Sequence, residues 1–172
     1  MTANASNEEH SPSAPARDED PRPDIDLTAK NPLRLGVAYG ETLWFNPPGE
    51  VIRVRAEDLR GLAQRVKAVR QKHPGRDVVV DIDVVIASEA RWARAALAKA
   101  GGAPKDGTLL YVGTATGLAG LVADLYVLGM TDGAMLIPLG GADVHALIRN
   151  EVLPELATFM PDPVPQRRSL PA

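Results

Sequence analysis

Hydrophobic positions along this chain change their spacing several times, and each change marks an element. Leu33 to Tyr39 (LRLGVAY) reads as a short strand. Within residues 42–50, Pro47, Pro48 and Gly49 mark a turn, and Val51 to Arg55 extends weakly after it. From Glu57 to Lys72 an amphipathic helix is predicted. Leu59, Leu62, Ala63, Val66 and Val69 recur at helical spacing, Arg60, Gln64, Lys67 and Arg70 lie opposite, and His73-Pro74-Gly75 stops it. Asp77 to Ala87 (DVVVDIDVVIA) is the clearest strand. Its even positions from Val78 to Ile86 line one face, and Val79, Asp81, Asp83 and Val85 the other. Ser88 can cap the next helix, which runs to about Ala100 and ends at Gly101-Gly102. Thr108 to Val112 is a short strand, Thr116 to Leu128 a largely buried helix, and Gly133 to Pro138 a buried strand. Ala142 to Phe159 forms a last amphipathic helix that Pro154 kinks or splits.

Strands alternating with helices of this length argue for βαβ units, right-handed crossovers and a parallel sheet. Four such units make half a barrel or a small open sheet, and the pattern suits both. The flanks differ from this ordered stretch of residues 31–160. Residues 1–30 hold seven acids against three bases, a net of −4, with four prolines and only Ile25 and Leu27 as sizeable aliphatics. Such a segment buries too little apolar surface to offset its conformational entropy, so a disordered acidic arm is expected. The Pro-rich tail of residues 161–172 is expected to be flexible as well.

Composition narrows the chemistry. The chain's 172 residues fall short of the roughly 250 of a complete (β/α)8 barrel. The absence of cysteine excludes disulfide scaffolds, Cys-containing zinc sites, iron–sulfur clusters and thiol nucleophiles. A formal charge of −3 supplies no basic footprint for nucleic acid. No run of about 18 apolar residues suggests a membrane span. The first residues lack a basic stretch followed by an apolar one, so they do not read as a secretory leader. A cytoplasmic protein with no membrane or nucleic-acid partner is the expectation.

Residues 107–156 carry a resemblance. A strand runs into Gly113-Thr114, a helix contains Val122-Ala123-Asp124, and Gly129-Met130-Thr131-Asp132-Gly133 leads into the strand Met135 to Pro138. A final helix reads Val152-Leu153-Pro154-Glu155-Leu156. In this order the pieces resemble the C-terminal end of the bacterial-luciferase-like monooxygenase family, with Ala115 where that family has the proline of a Gly-Thr-Pro turn. Gly75-Arg76-Asp77, after a basic helix, is similar to the family's Gly-Arg-Asp-Pro element, with Val78 in place of the proline. The resemblance covers about residues 56–156. It implies parallel βα units forming a partial, half or truncated TIM barrel, and a flavin-dependent oxidoreductase ancestry with FMN or a deazaflavin as cofactor. The family's Gly-rich phosphate loop has no counterpart here, and the strands that bear its catalytic residues are not in this chain.

The candidate site residues follow from the strand-to-helix turns. Gly113 and Thr114 lie at one carboxyl edge, Gly140 and Gly141 at the next, where helix amides attract phosphate and glycines let a ligand approach. The two turns together are the expected contact for the anionic part of the cofactor; each also reads as a plain βα turn. Asp81 and Asp83 share a strand face and could do acid–base work or hold a metal, or else the face is solvated or paired with the basic helices. His145 could face a ligand or sit exposed, and Tyr39 and Trp44 could stack on a ring or pack as core or lid. No metal site and no catalytic residue can be assigned from these positions. Two functions stay open: a truncated luciferase-like flavin oxidoreductase completed by another subunit, or a non-catalytic relic acting as an interaction or assembly subunit. In the second, Leu118 to Leu128 would form part of an interface. Either way unpaired strand edges favour a homo-oligomer or a partner subunit.

Overall fold

The computed structural model describes residues 31–100 and 107–160. The acidic arm, the helix end at Gly101-Gly102 and the Pro-rich tail lie outside the described residues. The chain order is β1 (Arg34–Tyr39), β2 (Thr42–Asn46), β3 (Ile52–Val54), α1 (Leu59–Lys72), β4 (Val78–Ile86) and α2 (Ala90–Lys99). It continues with β5 (Leu109–Gly113), α3 (Ala115–Val127), β6 (Gly133–Pro138) and α4 (Ala142–Leu147), then a π-helical turn at Ile148–Val152 and α5 (Leu153–Leu156). This is an α/β domain on a mostly parallel sheet.

β4 is the centre of that sheet. β6 pairs with it along one side, and β1 then β2 extend the sheet beyond β6. The other side of β4 is long enough for two partners: β3 pairs with Val78–Val80 and β5 with Ile82–Ile86. In a (β/α)8 barrel each strand sits beside its successor. β3 with β4 and β4 with β5 do so, whereas β5 and β6 stand on opposite sides of β4. The sheet therefore departs from a run of successive barrel strands at that step.

A second departure is β2. Residues 42–46 are a strand rather than part of a turn, running antiparallel to β1 in a hairpin closed by Gly40-Glu41. Gly40 takes φ +59, which costs glycine little. The turn marked by Pro47, Pro48 and Gly49 follows only afterwards.

The direction of each crossover decides where the helices lie. β3→β4 and β5→β6 run one way across the sheet, and β4→β5 runs the other. Right-handed connections then put α1 and α3 on one face and α2 on the opposite one. The core follows this division. Leu62 and Val66 of α1, Leu118, Val122 and Leu125 of α3, and Val144, Ile148, Val152 and Leu156 of the last helix pack on the even positions of β4. Ala93 of α2, although fully buried, lies outside that cluster.

Local rules explain the helix ends. Asp58 caps α1 by accepting from the Gly61 amide at 2.7 Å. α3 ends in a Schellman turn: Met130 N donates to the Leu125 carbonyl at 2.9 Å, Gly129 N to that of Tyr126 at 3.0 Å, and Gly129 takes φ +68. Ser88 does not cap α2; Glu89 occupies that position without a side-chain bond. Pro154 does not split the last helix. The turn before it widens so that Leu153 N reaches back five residues to Ile148, a winding that gives the proline ring room.

Candidate functional site

The carboxyl ends of β4 and β6 are adjacent, yet the chain leaves them toward opposite faces, into α2 and α4. A cleft of about 620 Å3 opens between these two helices. That volume falls within the about 300–1,000 Å3 usual for small-molecule sites. Val85, Ile86, Val144 and Leu147 give it an apolar floor, and Trp92 of α2 stands at one wall, 54% exposed. Gly140 and Gly141 form its rim, held near β4 by Leu139 N donating to the Val84 carbonyl at 2.8 Å.

The two glycine turns singled out from the sequence do not come together. Gly140 and Gly141 line the cleft, while Gly113 and Thr114 are not among its lining residues and sit across β4. Locally, the Gly113-Thr114 turn is filled by protein. Thr114 caps α3, its hydroxyl accepting from Gly117 N at 3.2 Å, and the Tyr111 hydroxyl donates to the Thr114 carbonyl at 3.2 Å. A Cβ on Gly113 would meet that hydroxyl at 2.6 Å. Gly113 thus makes room for Tyr111.

The remaining candidates are engaged elsewhere. Asp81 is 1% exposed on the α2 side of the sheet, and its partners come from the neighbouring strand rather than from helices. Arg53 grips it through Nε at 2.7 Å and Nη2 at 2.8 Å, and Arg55 Nε adds a bond at 2.9 Å. With both oxygens held by guanidinium, Asp81 tethers β3 to β4. Asp83 is fully buried. His145 is half-buried, stacked on Tyr39 at 4.8 Å between ring centroids, with Nε2 3.2 Å from the Ala38 carbonyl oxygen. Tyr39 is thereby occupied by a protein ring. Among the described residues no group of three or more His, Cys, Asp or Glu could hold a metal ion.

Sequence reasoning missed Trp92, Asp143, Asn150 and Glu151. Trp92 sits within a helix whose apolar spacing is weak, and the other three read as the solvated face of an amphipathic helix. Their common position is visible only once β6 is placed beside β4. Asp143 stands in the first turn of α4 and puts a negative charge beside the amides that a phosphate would use. Among the described lining residues, Asp143 and Glu151 are the charged ones, and no Lys, Arg or His accompanies them. The Gly140-Gly141 rim therefore does not suit a dianionic phosphate.

The site is a crevice outside the carboxyl ends of an open α/β sheet, at the point where connections diverge, the class of place where such folds hold small molecules. Neither a family model nor a curated protein matches the chain. Among solved structures it is similar to the long-chain alkane monooxygenase LadA, with a TM-score of 0.49 and 18% identity over 63% of this chain and 36% of that chain. The chain thus spans little more than a third of that enzyme's length, and a likeness of this size carries no argument about fold or chemistry. No helix among the described residues is long and apolar enough to cross a membrane.

Proposed function

We propose that this chain is a luciferase-like α/β domain, derived from part of a flavoenzyme barrel, that binds a planar ring ligand of flavin type in the β4/β6 cleft. The observation that carries the reading is the cleft itself: an indole wall, an apolar floor and a glycine rim at the divergence of two chain connections. The resemblance of residues 107–156 supplies the flavin; the ring shared by FMN and a deazaflavin suits the apolar floor, and the phosphate does not suit the rim. The residues lining the cleft offer Ser88, Asp143 and Glu151 as reactive groups and no imidazole to activate the serine, so oxidoreductase turnover would draw on residues from a partner subunit. Titrating riboflavin into a Trp44→Phe background, where Trp92 is the remaining tryptophan, tests the binding. Quenching that saturates, and that is lost in Gly141→Leu, supports the reading. Unchanged Trp92 emission up to about 0.1 mM ligand, the weak end of useful affinity, overturns it.

One observation favours a second role beside it. β2 is an edge strand without a charged residue, and its Leu43 and Trp44 are 49% and 38% exposed. Edges of this kind invite pairing with another chain, and a second copy would extend the sheet through antiparallel β2 strands. A dimer by light scattering that Leu43→Lys converts to monomer supports this role; a monomeric parent chain overturns it. In the helix Leu118 to Leu128, Leu118, Val122 and Leu125 are buried in the chain's own core, and Val127 and Leu128 are its exposed large hydrophobic residues.

A further inference from the structure

We infer that the β4/β6 cleft selects planar ligands without an anionic group and prefers one that carries a positive charge, an inference that rests on the ligand-binding reading above. Three features of the walls point the same way. Asp143 of α4 and Glu151 of the π-helical turn both line the cleft, so two carboxylates, one turn of chain and more apart, contribute to its walls. Asp143 stands in the first turn of α4, next to the Gly140-Gly141 rim, and adds a negative charge where a phosphate would approach. Trp92 presents a π-surface that a cation favours over an anion. Within the chain, the guanidinium of the preceding residue Arg91 sits 5.0 Å from the indole centroid. Arg91 is itself paired with Glu89 at 2.9 Å, so its charge is compensated outside the cleft. Ser88 and Asn150 add neutral hydrogen-bonding groups that can meet ring nitrogens or carbonyls of either kind of ligand. The result is the reverse of a flavin-phosphate cradle.

Three ligands of similar ring size separate charge from shape: proflavine, a tricyclic cation at neutral pH; riboflavin, neutral; and FMN, the same ring with a phosphate. Calorimetric titration of the full chain at low salt should give dissociation constants in the order proflavine, riboflavin, FMN, with about threefold or more between neighbours, the scale of one or two exposed charge contacts. Raising the salt should weaken proflavine and strengthen FMN. The double variant Asp143→Asn/Glu151→Gln, whose side chains are exposed and outside the core, should bring the three constants together. FMN binding as tightly as riboflavin, or a proflavine-to-riboflavin ratio unmoved by the double variant, overturns the charge selection while leaving the cleft as a ring-binding site. Failure of all three ligands to bind overturns the cleft reading and this inference with it.

Discussion

A Cβ placed on Gly133 would stand 1.7 Å from the backbone carbonyl oxygen of Arg34. The first residue of β6 therefore passes the first residue of β1 with space for a hydrogen atom and no more. The obstacle is backbone rather than a flexible side chain, so Gly133→Ala has to displace a strand. The expected cost is about 3 kcal/mol or more of folding stability, measured by urea unfolding, with loss of the folded state at 37 °C as the visible outcome. A variant within about 0.5 kcal/mol of the parent would show that β1 and β6 are not held at this distance.

Beside Gly133, Asp132 ties three elements together. It accepts from the Val78 amide at 2.8 Å and from Arg70 of α1 at 3.2 Å, while Arg70 also donates to the Gly129 carbonyl at 2.9 Å. The Gly129-Met130-Thr131-Asp132-Gly133 run was legible in the sequence as part of a family resemblance. Its physical role is to end α3, anchor α1 and start β6 at one corner of the sheet. Most elements were likewise legible, because Val78 to Ile86 is a mostly apolar, β-branched run and Leu59 to Val69 keeps helical spacing. β2 was not legible, because Pro47, Pro48 and Gly49 follow Thr42–Asn46 so closely that the strand is masked by turn residues. Strand order was not legible either. Nothing in a βαβ repeat says whether β6 lands beside β5 or crosses to the other side of β4. That one crossing joins Gly140 and Gly141 to Trp92 and separates them from Gly113.

Asp81 gives a stability prediction of a different kind. Its buried carboxylate holds Arg53 and Arg55 against the face of the sheet that carries α2. Asp81→Ala removes the side-chain bonds that tie Arg53 and Arg55 to β4, leaving two guanidinium groups that are 31% and 60% exposed and can be hydrated. A loss of about 2 kcal/mol is expected, the scale of hydrogen bonds to a charged group. Replacing Arg55 alone should cost far less, about 0–1 kcal/mol, since its side chain is largely in solvent. Equal losses from the two substitutions would contradict the assignment of Asp81 as the anchor.

Tyr126 predicts an alkaline limit. Burial first, and the Asp132 carboxylate second, raise its phenol pKa above the ordinary 10.0, and its hydroxyl donates to the Asn31 carbonyl at 2.8 Å. A raised value means that the folded chain keeps the phenol proton more tightly than the unfolded one. The stabilisation is complete below pH 10 and disappears as the pH climbs through the raised value. Unfolding free energy measured from pH 8 to 11 should fall at the alkaline end, and Tyr126→Phe should fall less steeply. Parallel curves for parent and variant would assign the alkaline loss to another group.

The two rim glycines separate structure from ligand contact. At Gly140 an added Cβ would meet Val144 Cγ2 at 2.7 Å, and Val144 is a buried core residue, so Gly140→Ala disturbs the seating of α4. At Gly141 nothing lies within 4 Å of an added Cβ, and no positive φ restricts the residue. Gly141→Leu should therefore fold with a melting temperature close to the parent's while placing a side chain in the mouth of the cleft. Riboflavin affinity should drop about tenfold or more, the scale of 1.4 kcal/mol or greater. Gly140→Ala should lower the melting temperature by several degrees, about 1 kcal/mol of stability, with a smaller effect on binding. If Gly141→Leu binds riboflavin as the parent does, the ligand does not pass the β6 edge, and the cleft between α2 and α4 is not where it sits.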